Sequence, residues 1–192
     1  SNLTDFFPSG GGGGLTPKFQ EFNSSGTFTP SQALIDAGGR IFVFVVAGGG
    51  GGTTATGAST GGVGGEVLMQ YITLTNTNAV TVTIGGGGGP LAAGSNTTFA
   101  ASSAGGITIV ALGGGGGANN NTTKPSGRLT AGYGASGASA GSGGGGSGVL
   151  GYGVGGATYV MPGIGTPKNN SGSGAGRNLS GGSGFVRVTW FE

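Results

Sequence analysis

The sequence predicts an all-β fold: a small sandwich of short strands continued into a bundle of polyglycine-II helices, with glycine-rich loops and essentially no α-helix. Three observations carry this. Glycine supplies 53 of the 192 residues against 7 prolines, and it falls in blocks, not at every third position, which removes the collagen triple helix. Three apolar runs lead directly into five glycines: IFVFVVAGGGGG at 41–52, VTVTIGGGGG at 80–89 and ITIVALGGGGG at 107–117. A further strand-like run, FVRVTW at 185–190, comes late enough that it must return to the early sheet.

Residues 1–18 carry a glycine block of their own at 10–14 and are expected to be an amino-terminal attachment segment, with 19–192 forming the glycine-rich β domain. Short strands are expected near 27–30 and 96–100. In the run 41–46, Phe42, Phe44 and Val46 fall on one face and Ile41, Val43 and Val45 on the other, so this strand is expected to be buried on both sides. Residues 66–74 form the next strand. Val80, Val82 and Ile84 alternate with threonines, which places them inward. Asn76-Thr77-Asn78 is read as a turn joining Leu74 to Val80, although neither asparagine is followed by the glycine that marks a tight hairpin.

The glycine blocks begin at the same point after a strand three times, as packed continuations of strands would and flexible linkers would not. Polyglycine-II geometry suits them. It has three residues per turn and no internal hydrogen bonds, so its N–H and C=O groups point outward to neighbouring helices. Packing of this kind offsets the roughly 0.5–1 kcal/mol by which an ordered glycine is worse than alanine. From 119 to 170 the sequence turns to Gly, Ser, Ala and Asn, and more glycine helices joined by exposed loops are expected there, with a disordered low-complexity segment as the alternative.

Composition excludes several functions. The chain has no cysteine and no histidine, which removes disulfides, thiolate and imidazole catalysis and the commonest zinc ligands; no metal or cofactor is expected. Seven basic residues against five acidic ones leave a net charge of +2, and the arginines are scattered, so no nucleic-acid partner is expected. The longest apolar run, 41–47, is far short of a membrane span, and the first residues lack a basic stretch followed by an apolar core. GYGVGG at 151–156 has dinucleotide-turn spacing but lacks a strand before it and a helix after it. Asp36, in a turn before Gly38, and Glu66, opening a strand where a solvated role is expected, are the only acids well inside the folded region, too few for a carboxylate-pair hydrolase. The chain is therefore not expected to be an enzyme.

Five stretches, SGTFTPSQAL (25–34), FVVAGGGGG (44–52), GGVGGEV (61–67), VTIGGGGG (82–89) and GGSGFVRVTW (181–190), occur in this order. Together they resemble the glycine-rich carboxy-terminal domain of phage tail fibres and small virion fibre proteins, over about 19–192, and are similar to polyglycine-II tail-fibre adhesins. The resemblance implies a virion protein made in the host bacterial cytoplasm, assembled as a homotrimer and joined to other tail or capsid proteins. It further implies loops that bind a bacterial cell-surface receptor, either a saccharide or an outer-membrane protein. A capsid decoration or head-fibre protein without a specific receptor is the rival expectation. Candidate contact residues are Tyr133 and Tyr152, whose rings suit stacking on sugars, with Arg128, Lys124, Lys168, Asn120 and Asn121 as polar partners. Packing between glycine helices is the competing role for the tyrosines, and an ordinary exposed turn for the asparagines. Tyr159, beside Val160 and Met161, is read as core.

Overall fold

The computed structural model describes residues 14–54, 61–118, 152 and 169–192. They contain eight strands: β1 (Pro17–Phe22), β2 (Gly26–Phe28), β3 (Arg40–Val46), β4 (Val67–Thr73), β5 (Val80–Thr83), β6 (Thr97–Ala101), β7 (Ile107–Ala111) and β8 (Phe185–Phe191). Two antiparallel four-stranded sheets result, in the orders β1-β8-β3-β4 and β2-β5-β6-β7. The late strand β8 inserts between β1 and β3, pairing Val188 with both Gln20 and Val43.

The sheets face each other across one core. Ile41, Val43, Val45, Ile72, Val186 and Val188 come from the first sheet; Phe28, Val80, Val82, Phe99 and Ile109 come from the second. β3 is buried on its other face as well, where Phe44 and Val46 pack with Val67 and Phe185. The Asn76–Asn78 turn forms, with the Asn78 N–H donating to the Asn76 side chain at 2.9 Å. It does not close a hairpin, because β4 and β5 belong to different sheets. Both asparagine amides instead donate to the Ser103 carbonyl at 3.0 Å, tying the crossover to the opposite sheet.

In keeping with the expectation of essentially no α-helix, only two short helices occur among the described residues: α1 (Gln32–Asp36) and α2 (Ser102–Gly105). The first is nucleated by Ser31, whose hydroxyl accepts from the Leu34 N–H at 3.0 Å, and it buries Leu34 in the core. The same hydroxyl donates to the Glu192 carboxylate, and this bond is the main reason that carboxyl sits below its ordinary range. Gly39 (φ +66°) ends the turn; a Cβ there would lie 1.9 Å from the Leu74 carbonyl oxygen.

Beyond one end of the sandwich, glycine-rich segments continue the strands. β3 runs on into 48–52, β5 into 85–89 and β7 into 113–117, while 61–65 lead into β4, 92–95 into β6 and 179–184 into β8. Segment 48–52 is central, and its partners recur every third residue. Gly48 and Gly51 donate to Ser95 and Ala92, Gly49 and Gly52 donate to Gly182 and Leu179, and Gly50 donates to Val63, at 2.8–3.0 Å. Its carbonyls accept just as regularly, from Gly114 and Gly117, from Gly88 and Leu91, and from Ala175. Every N–H and C=O of this buried segment is thus satisfied by a neighbour, as backbone removed from water requires.

The neighbours also bond to one another and close a ring. Val63 donates to Gly115, Gly94 to Gly114, Ser95 to Gly86, Gly181 to Gly88, Gly182 to Ser173 and Gly62 to Ala175. In order around the centre lie 61–65, 113–117, 92–95, 85–89, 179–184 and 172–176, alternately antiparallel and parallel to it. Glycine is required because a Cβ on Gly50, Gly51 or Gly52 would come within 1.8–1.9 Å of a neighbouring carbonyl oxygen.

Glu66 is buried, which corrects the expectation of a solvated carboxylate. Its side chain accepts the Leu112 N–H at 2.9 Å while its own N–H donates to the Leu112 carbonyl, so it pins β7 to β4 where the sandwich meets the bundle. Asp36 lies beyond the opposite end of β3, roughly 20 Å away by strand rise, so the two acids form no pair. Glu66→Ala leaves the Leu112 N–H without its acceptor and is expected to cost about 1–3 kcal/mol in urea denaturation. Glu66→Gln, which keeps an acceptor oxygen, should cost less.

Candidate functional site

Two surfaces stand out. The first is the far end of the glycine bundle. Its turns converge there because strand-linked segments leave the sandwich and return to it in antiparallel pairs. The Asn178 N–H donates to Thr53 at 2.8 Å, Leu91 to Gly52 at 2.8 Å and Gly117 to Gly51 at 2.8 Å, so Thr53, Leu91, Asn178 and the exit at Ala118 share one end. Leu91 (φ 65°) and Asn178 (φ 59°) are left-handed. That conformation is common for asparagine and unfavourable for leucine, whose side chain is nonetheless 43% exposed. Arg177 lies beside them, half-buried, with an Nε that has no hydrogen-bond partner among the described residues.

The second surface is the outer face of the first sheet. Antiparallel register aligns residues across it in rows: Phe19, Thr189, Phe42 and Tyr71, then Glu21, Arg187, Phe44 and Met69. Phe19, Tyr71 and Met69 are exposed. The rows are stitched by aromatic contacts, Phe42 to Tyr71 at 4.9 Å and Phe44 to Phe185 at 6.4 Å. The Arg187 guanidinium is 5.9 Å from the rings of both Phe19 and Phe185 and pairs with Glu21; Arg40 lies 4.9 Å over Tyr71. A shallow, open depression of about 410 Å³ is lined by Phe19, Arg187 and Thr189. Ring faces, a guanidinium and a hydroxyl make this surface suitable for packing against protein or a sugar ring.

Of the candidate contact residues, Tyr152 alone is described. It stacks on Phe185 at 5.6 Å and 12° and meets Phe44 edge-on at 5.1 Å, half-buried on the outer face of the first sheet. Tyr133, Arg128, Asn120, Asn121, Lys124, Lys168 and Tyr159 lie outside the described residues. Sequence reasoning missed the outer sheet face. Phe19, Arg187 and Tyr71 come from distant parts of the chain, and the insertion of β8 between β1 and β3 has no local signature. Leu91 was legible only as the residue after a Gly-Pro pair.

Among the described residues no group of three or more acidic, histidine or cysteine side chains could hold a metal, and no helix is long and apolar enough to cross a membrane. Comparison with protein-family models, curated proteins and solved structures found no match to this chain.

Proposed function

We propose that this chain is a structural and attachment protein of a bacteriophage particle, whose glycine segments are polyglycine-II helices presenting receptor-binding turns to a bacterial surface. One observation carries the reading: the described turns of the bundle gather at a single end, opposite the sandwich and tied to one another by backbone hydrogen bonds. Rigid glycine segments give such turns fixed positions with few side chains, which favours a scaffold for recognition. The three-residue recurrence of partners is the spacing that polyproline-II-type geometry generates. The receptor is a saccharide or an outer-membrane protein, contacted at the end that carries Leu91, Arg177 and Asn178.

The exposed aromatic face of the first sheet favours a second reading, a decoration protein held on the particle by that face. Binding of purified protein to host cells and to extracted lipopolysaccharide separates the two. Leu91→Asp with Arg177→Glu should lower cell binding at least about tenfold, a loss of 1.4 kcal/mol, in a protein that still unfolds cooperatively. If the native protein binds neither cells nor lipopolysaccharide, attachment is refuted and decoration takes its place.

A further inference from the structure

One segment of the closed ring, 85–89, has an open outer face. Gly86 is exposed, and Gly87 and Gly89 are half-buried. A Cβ built on Gly86 or Gly89 would meet nothing within 4 Å. The carbonyls of Gly86 and Gly89 are used by Ser95 and Ala92, but the N–H groups of Gly86, Gly87 and Gly89 and the Gly87 carbonyl have no partner among the described residues. Gly86 and Gly89 are one three-residue turn apart, so their donors share a face about 9 Å long. At the centre of the bundle the corresponding groups are taken up by the segment 48–52.

The chain has a further five-glycine block at 10–14, of which Gly14 is among the described residues. Docked along its whole length, the block cannot fill the open face of its own molecule, because Gly14 is held close to Thr16. Thr16 pairs with Glu192 in both directions, at the end of the first sheet farthest from Phe185 and the bundle. β1 has six residues and separates Thr16 from the bundle by about 20 Å, whereas Gly14, two residues away, stays within about 7 Å of Thr16. A second molecule carries no such restriction. Its block matches 85–89 in length and lacks the Cβ atoms that would hold a partner backbone away.

We infer that the block 10–14 of one copy docks in trans along the open 85–89 face of another, as an additional glycine segment bonded to the Gly86 and Gly89 N–H groups. The contact is heterologous, since block and face are different surfaces, so it builds closed rings or open filaments according to the rotation it imposes.

Sedimentation of the full chain across concentration tests this. The mass should rise above 17.9 kDa with concentration. Gly86→Val with Gly89→Val should raise the concentration needed for association at least about tenfold while leaving the unfolding midpoint unchanged, because both positions face open space. Gly11→Val with Gly12→Val and Gly13→Val should do the same, since three consecutive valines put a side chain on each face of a threefold helix. Mixing the two variants should give one-to-one complexes that grow no further, each supplying the surface the other lacks. A full chain that stays monomeric overturns the proposal, as does association that survives either set of substitutions. Binding at the 85–89 face only by a different glycine-rich protein would also overturn it.

Discussion

Gly51→Ala is expected to destabilise the protein by more than about 4–5 kcal/mol, an effect reached by few single substitutions. The added methyl would lie 1.8 Å from the Gly89 carbonyl oxygen and 2.3 Å from its carbon. Neither atom belongs to a side chain that can rotate away. Relief requires segment 85–89 to move outward, which strains the Gly88 donation to Gly49 and the Leu91 donation to Gly52. With total stabilities of about 5–15 kcal/mol for ordinary domains, such a loss leaves much of the population unfolded. Gly89→Ala is the control. It adds the same methyl to a paired segment but into open space, and it should change stability by less than about 1 kcal/mol, with a gain of 0.4–1 kcal/mol if the unfolded-chain entropy dominates. Urea denaturation of both variants measures the difference. Equal effects would mean that the bundle is loosely packed.

Phe99→Ala should cost about 3–5 kcal/mol, read as a lowered denaturation midpoint with an unchanged slope. Phe99 is fully buried on β6 and packs 6.2 Å from the Phe28 ring, which in turn meets Trp190 edge-on at 5.3 Å. Removing it opens a cavity bounded by both sheets, because Phe28 and Phe99 belong to the second and Trp190 to the first. Tyr71→Ala removes a ring of similar size from the outer face, where the residue is 63% exposed. It loses the Phe42 and Arg40 contacts but creates no cavity, and the cost should stay near 1 kcal/mol or below.

Much of the sandwich was legible because strand signals are local. The two-sided burial of β3 followed from IFVFVV having no polar position, and the inward valines of β5 from strict alternation with threonine. β1 escaped recognition because PKFQEF carries a proline, two charges and only two aromatics; it becomes a strand because β8 supplies a paired edge. Helix α1 was read as a turn because five residues are too short to show a period, although Ser31 three places before Leu34 is a capping signal. Glu66 looked solvated because acids usually are, and nothing nearby in sequence announces the Leu112 N–H it accepts 46 residues away.

From the sequence alone came the all-β class, the strands that lead into glycine, and the expectation that those glycines pack as continuations of strands. These depend on side-chain alternation and on the absence of Cβ atoms, both properties of short stretches of chain. Tertiary structure alone decided which segment is central, which six surround it, and that Gly86 and Gly89 face open space while Gly51 does not. All five-glycine blocks are chemically identical, so their places are assigned by the strands that deliver them. The late insertion of β8 between β1 and β3 likewise carries 179–184 into the ring and brings Phe19, Arg187 and Tyr71 onto one face.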